Sequence, residues 1–164
     1  MLLLIVAVTI VLVSSGLCSG TEAALFSVPT ISVRRLAEEN RRGAKPLLQI
    51  RNNMSRPIAT VVILNNFANI VGSITVGGIA ATALGDAWVG VFSAILTFLV
   101  IIFSEIIPKT LGERYCLPVA LAAARPVQML TILMTPIVWL IEHLTAPITK
   151  GQVIPTTNEA EIRM

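Results

Sequence analysis

Charged and aromatic side chains are scarce in this chain of 164 residues. Charged residues make up 13% and aromatic residues 5%, whereas about 25% of the residues in soluble domains are charged. Apolar residues account for 55% of the chain, and its mean hydropathy is +0.84. So few charges exclude an ordinary soluble domain, and a formal net charge of +3 is not a nucleic-acid signature. The composition indicates an integral membrane protein.

Cysteine and histidine are also rare, with two and one in the chain. No metal-type spacing links Cys18 and Cys116, and a disulfide has no support beyond the even count. We interpret both as packing residues. His143 lies near a terminal helix and is interpreted as an interfacial residue, not a ligand. No nucleophile–base pair, phosphate loop or zinc motif is present in the sequence, so we expect no enzyme.

Three apolar stretches are long enough to cross a bilayer, since about 20 helical residues suffice. They cover residues 2–31, 57–84 and 89–108. The first lacks the positively charged start of a cleaved signal peptide, and we expect a retained transmembrane helix. Pro57 suits the first turn of the second. That span also carries a stripe of small residues, Ser73/Gly77/Ala81, which favours close helix packing.

The segment from 32 to 55 differs from its apolar neighbours. Seven of the twelve Lys and Arg residues lie between Arg34 and Arg56. Apolar residues interleave with these charges, which predicts amphipathic juxtamembrane helices broken near Gly43 and Pro46; a solvated helical hairpin is the alternative. The positive-inside rule then predicts that this loop is cytoplasmic and the N-terminus external. The last apolar stretch, residues 127–144, is long enough to cross, and hydropathy alone leaves open whether it does.

Three polar clusters interrupt the apolar spans. Such groups are expensive at membrane depth and indicate a functional site by default. Most of their atoms are hard oxygens, the ligands that Mg²⁺ prefers. The clusters are Ser15/Ser19/Glu22, Asn65/Asn66/Asn69 and Ser104/Glu105 with Pro108/Lys109.

Each cluster also has a structural interpretation. Serine hydroxyls often bond to carbonyls of their own helix, and asparagines often bond between membrane helices. Pro108 lacks an N–H and clashes with the carbonyl four residues earlier, that of Ser104. We therefore expect a distorted helix with unpaired main-chain oxygens beside Glu105. The alternative is a simple kink with a Glu105–Lys109 ion pair.

The three clusters together resemble the motifs of the CorB/CorC and cyclin M (CNNM) magnesium transporters. Residues 15–25 resemble the first-span motif, 64–70 the asparagine motif and 104–110 the Glu-Ile-x-Pro-Lys motif of that family. The resemblance implies an all-α membrane domain with three crossings per subunit, working as a homodimer in the lipid bilayer. It also implies that residues 117–147 form juxtamembrane helices without a fourth crossing.

The resemblance further implies transport of Mg²⁺, with export proposed to be driven by Na⁺ entry in some members. It assigns ion-site positions to Ser15, Ser19, Asn65, Asn69 and Glu105. Supporting positions fall on Glu22, Ser104, Pro108 and Lys109. One departure is Leu64, where the family often has Gly.

Full-length relatives carry a cytosolic pair of CBS modules that bind ATP-Mg²⁺. No such modules lie in this sequence, so the resemblance implies no nucleotide site in this chain. Residues 1–150 would then be a membrane domain, and 151–164 a tail leading toward the absent cytosolic region. The implied location is the plasma membrane, with the N-terminus outside and the C-terminus cytoplasmic. Two other hypotheses stay open: a Mg²⁺-sensing or scaffolding module without transport, and a purely structural dimerisation domain.

Overall fold

The fold is entirely helical over the part of the chain that the structure describes. The computed structural model describes residues 1–149, with side chains except those of Asp86, Glu142 and 145–149; the predicted tail at 151–164 lies outside it. The helices are α1 (Leu2–Ser27), α2 (Thr30–Glu38), α3 (Ala44–Asn52), α4 (Ser55–Leu84), α5 (Asp86–Leu99), a π-helical segment (Val100–Ile106), α6 (Ile107–Arg114) and α7 (Cys116–Thr149). The predicted all-α class is confirmed.

Four stretches are long and apolar enough to cross a membrane. They are Leu2–Ser27, Ser55–Leu84, Ala87–Arg114 and Cys116–Ile141. The first three correspond to the predicted spans, with corrected ends: α1 stops at Ser27 instead of residue 31, and the third continues past Pro108 to Arg114. We call this third stretch, made of α5, the π-helical segment and α6, the third long helix. Because α7 also qualifies by length and composition, the count of three crossings stays a prediction.

Two short helices form the basic segment between α1 and α4, for which a juxtamembrane position stays a prediction. Gly43 separates α2 from α3 and has a φ of +86°, in the left-handed region that favours glycine. A Cβ there would also overlap the carbonyl oxygen of Leu121 in α7. The predicted break at Gly43 is therefore confirmed. Pro46, the other residue near which the break was predicted, is the third residue of α3, where a helix has no N–H bond to lose.

Helix α1 lies between α4 and the third long helix and contacts both. Ser15 of α1 meets Asn65 of α4, and Val11 faces Gly72, so the two helices run antiparallel. Toward the third long helix the order is reversed: Leu12 of α1 meets Ser104, and Gly20 meets Gly112. These two helices therefore run parallel, as alternate crossings of a bilayer do.

Two apolar clusters hold the bundle together, one at each end. The first joins α1, α4 and α5 through Leu4, Val11, Val76, Ala80 and Leu96. The second surrounds the end of α1 and includes Ala24, Leu25, Leu47, Val61 and Ala124. Between them lies a layer of buried or half-buried polar side chains from α1, α4 and the π-helical segment. We call it the polar layer: Ser15, Ser19, Asn65, Asn69 and Ser104.

Two members of the predicted stripe of small residues on α4, Ser73 and Gly77, do not pack closely against another helix in the described part of the chain. Ser73 is exposed, and a Cβ on Gly77 would meet nothing within 4 Å. Gly72 takes the packing role instead, because a Cβ there would overlap the side chain of Val11. The stripe is thus available to lipid or to a second subunit, and the homodimer stays a prediction.

Candidate functional site

A buried hydrogen bond joins the first two sequence clusters. The Ser15 hydroxyl donates to Oδ1 of Asn65 over 2.8 Å. Ser15 is 0% exposed and Asn65 8% exposed. The first two sequence clusters therefore converge at this bond. The neighbouring Asn66 points outward and is exposed.

Two buried oxygens beside this bond have no hydrogen-bond partner in the described part of the chain. They are Oγ of Ser19 and Oδ1 of Asn69. Because α1 and α4 are antiparallel, one lies a helical turn to either side of the Ser15–Asn65 pair. An unpaired buried polar group costs about 1–3 kcal/mol. Its presence calls for a specific explanation, such as a bound water or ion.

A stripe of glycines runs along α1 beside the serines. A Cβ on Gly16 would lie 3.2 Å from the Pro108 ring, and one on Gly20 would lie 3.2 Å from the Pro108 carbonyl oxygen. Opposite them, a Cβ on Gly112 would overlap the backbone of Gly20. The repeated Ser-Gly pair thus gives α1 two faces. The serines lie on the side of α4, and the glycines pack against the third long helix.

The third cluster lies in the π-helical segment. The N–H of Ile107 bonds to the carbonyl of Ile102, five residues back. Pro108 follows directly in α6, and its ring explains why the regular four-residue pattern fails. The predicted distortion is confirmed, in the form of π-helix. The Ser104 hydroxyl is buried and donates to the carbonyl of Leu12 in α1 over 3.0 Å.

The two carboxylates of the sequence clusters do not take part in the hydrogen bonds of the polar layer. Glu22 and Glu105 are half-buried, and neither makes an ion pair or hydrogen bond with another described residue. Lys109 is exposed, so the alternative Glu105–Lys109 pair does not form. Among the described residues, no three His, Cys, Asp or Glu side chains come together as a metal site would require. A cation here would depend on neutral oxygens and at most one or two carboxylates.

The structure thus brings together part of the predicted site. Ser15 and Asn65 touch, and Ser104 is tied to the same helix α1 through Leu12. No hydrogen bond connects Glu105 to them within the described chain. Sequence reasoning missed Gly112, although its four-residue spacing from Pro108 repeats that of Gly16 and Gly20. This matching spacing is the sequence signal by which the close contact at Gly112 could have been predicted.

The cysteines and the histidine lie apart from the polar layer. Cys18 and Cys116 are free and half-buried, and both pack against the apolar cluster at the end of α1. Their predicted packing role is confirmed. His143 is exposed and stacks on Trp139 with ring centroids 5.5 Å apart.

Comparison with known families gives a match that covers nearly the whole chain. Residues 5–164 match the cyclin M transmembrane N-terminal domain. The chain belongs to this family. The resemblance carried by the three polar clusters is therefore confirmed, and the cyclin M domain described here is a multi-pass membrane domain.

Relatives of this cyclin M domain occur in several bacteria. The chain is 58% identical over 163 residues to the UPF0053 protein sll1254 of Synechocystis, covering 99% of this chain and 47% of the relative. It is 34% identical to the inner membrane protein YfjD of Escherichia coli, covering 87% and 33%. It is 26% identical to a polyamine export protein of Haemophilus influenzae, covering 85% and 35%. The chain thus spans less than half the length of these relatives.

Proposed function

We propose that this cyclin M domain carries Mg²⁺ across the membrane, with the ion passing through the polar layer. Ser15, Ser19, Asn65 and Asn69 would supply neutral oxygens, and Glu105 a carboxylate. Glu22, Ser104, Pro108 and Lys109 would shape or support the path. Export, coupling to Na⁺ entry and a homodimeric assembly belong to the same proposal. Family membership supports transport over catalysis.

The observation that carries the proposal is the pair of unpartnered buried oxygens, Ser19 Oγ and Asn69 Oδ1. They flank the Ser15–Asn65 bond between two apolar clusters. Polar groups retained at such cost inside membrane helices mark ion pathways. A purely adhesive role would need only hydrogen bonds between helices, and these two atoms make none within the described chain.

The chemistry of the layer suits weak, reversible binding. Mg²⁺ requires about six oxygens and keeps several waters when a site offers few carboxylates. Binding would exchange the Ser15–Asn65 hydrogen bond for metal contacts. Glu105 lies in the π-helical segment, a feature frequent at functional sites, and is only half-buried. Its carboxylate is therefore free to turn toward or away from the layer.

A polyamine is a second candidate cargo, because one relative is named a polyamine export protein. Ammonium groups also bind to oxygen acceptors, and the neutral Ser and Asn oxygens would accept from them. The two unpartnered oxygens lie a helical turn to either side of the Ser15–Asn65 pair, roughly 10 Å apart along the helices, so one Mg²⁺ would reach them in succession. An extended polyamine would reach both at once, and flux assays with each cargo separate the two candidates.

The first prediction tests the role of the polar layer by measuring Mg²⁺ flux across the membranes of proteoliposomes. We expect Asn69→Ala to lower Mg²⁺ flux about tenfold or more, as loss of ligand-shell groups commonly does. Asn66→Ala is the matched control, since Asn66 is the exposed asparagine three residues away, and we expect it to keep wild-type flux. Assays with and without a Na⁺ gradient, and with spermidine in place of Mg²⁺, identify the coupling ion and cargo.

Two outcomes would contradict the proposal. Wild-type Mg²⁺ flux in correctly inserted Asn69→Ala would remove Asn69 from the path. Heat of Mg²⁺ binding by calorimetry without any flux from the unmodified protein would favour the sensing or scaffolding module. Absence of both binding and flux would favour the structural dimerisation domain.

A further inference from the structure

A groove on the outside of the bundle separates α7 from α1 and α4. Its volume is about 500 Å³, within the range of pockets that hold small ligands. Its lining is almost entirely apolar and includes Cys18, Thr21, Val61, Leu64, Ala122 and Leu130. No charged side chain of the described residues lines it. The groove therefore suits a hydrocarbon chain and no ion.

A second cavity of about 300 Å³ adjoins this groove and shares Ala122 and Pro126 with it. Two arginines line the second cavity, Arg42 and Arg125, and no acidic residue among those with described side chains does. Both arginines are exposed, and neither forms a salt bridge in the described part of the chain. The surface thus changes from apolar to cationic over adjoining cavities.

The two cavities lie in the fold at the levels expected for the headgroup and the acyl chain of a lipid in one leaflet. Arg42 lies in the turn between α2 and α3, at the end of the bundle where α1 finishes and α4 begins. This end carries the basic juxtamembrane segment, so the arginines lie at headgroup level. The apolar groove continues from there between α1 and α4, past Val61 and Leu64. It therefore points from the interface toward the hydrocarbon.

We propose that these two cavities together bind one anionic phospholipid. Its phosphate would lie between Arg42 and Arg125, and an acyl chain would fill the groove between α1, α4 and α7. Basic pockets between membrane helices on the cytoplasmic side are known to bind such headgroups. A soluble phosphate would leave the apolar groove without a ligand. This site is separate from the polar layer and independent of the proposed Mg²⁺ transport.

The second prediction tests this site by native mass spectrometry on the purified protein. We expect phosphatidylglycerol to stay bound in preference to phosphatidylcholine. Arg42→Gln and Arg125→Gln should each reduce phosphatidylglycerol retention about fivefold, the effect expected for one interfacial basic residue. Arg114→Gln is the matched control, because Arg114 is exposed at the end of α6, over the Tyr115 ring, and lines neither cavity.

A second pair of variants tests the apolar part. Ala122→Phe should fill the shared wall of the cavities and abolish lipid retention, whereas Ala94→Phe on the exposed face of α5 should leave it unchanged. Both alanines are exposed, so neither change should prevent folding. The proposal is overturned if Arg114→Gln weakens retention as much as Arg125→Gln. It is also overturned if Ala122→Phe has no effect, if the two lipids bind equally, or if inorganic phosphate competes fully.

Discussion

Ser15 and Asn65 form a buried hydrogen bond between α1 and α4. The bond lies between two apolar clusters and out of reach of bulk water, so its loss would leave the Asn65 oxygen unpaired. The sequence alone predicted that the polar residues of each helix lie on one face, because side chains at a four-residue spacing share a helix face. It did not predict which pairs touch, since that depends on how far the antiparallel helices slide past each other. The Val11–Gly72 contact sets that register.

The third prediction concerns this hydrogen bond. Ser15→Ala should lower the free energy of unfolding by about 1 kcal/mol, the usual cost of an orphaned buried acceptor. A double-mutant cycle with Asn65→Ala should give a coupling of about 0.6 kcal/mol, as for other membrane hydrogen bonds. Ser14→Ala is the control, because Ser14 bonds only to carbonyls of its own helix. Denaturation of the purified protein measures all four variants, and zero coupling would contradict the geometry.

At the scale of helices, α1 and the third long helix meet through glycine and proline instead of large side chains. Gly16 and Gly20 on one side face Pro108 and Gly112 on the other. This approach places the π-helical segment, with Glu105, beside the serine-bearing helix. Sequence predicted a distortion at Pro108 from its missing N–H. It could not choose between a kink and π-helix, because that choice depends on the packing partner.

The fourth prediction is that the glycine contact sets the helix spacing. Gly112→Ala should lower the free energy of unfolding by about 1–3 kcal/mol, the usual effect of an overfilled interface, because its Cβ would overlap the Gly20 backbone. Gly78→Ala is the matched control, since a Cβ there meets nothing within 4 Å in the same kind of helix, and alanine is the better helix former. Equal stability of the two variants would contradict the close approach.

At the scale of the whole molecule, the position of α7 decides how many times the chain crosses the membrane. By length and composition it qualifies as a fourth crossing. Two observations agree with the predicted juxtamembrane position: Gln128 donates to Gln49 of the amphipathic helix α3, and Arg125 is exposed within the apolar stretch. Hydropathy could not decide this, because it averages over a window and ignores which neighbour a helix packs against. Where α3 lies at the interface, the part of α7 bonded to it lies there too.

The fifth prediction is that both ends of α7 lie on the side of the basic segment. In a protein with Cys18 and Cys116 replaced by alanine, single cysteines at Arg42 and Leu144 should react with a membrane-impermeant maleimide from the same side. A cysteine at Trp88, which follows the turn between α4 and α5, should react from the opposite side. All three positions are exposed, so access to each depends on the membrane alone. Labelling of position 144 together with 88 would demonstrate a fourth crossing, because an even number of crossings returns the chain to the side on which it began.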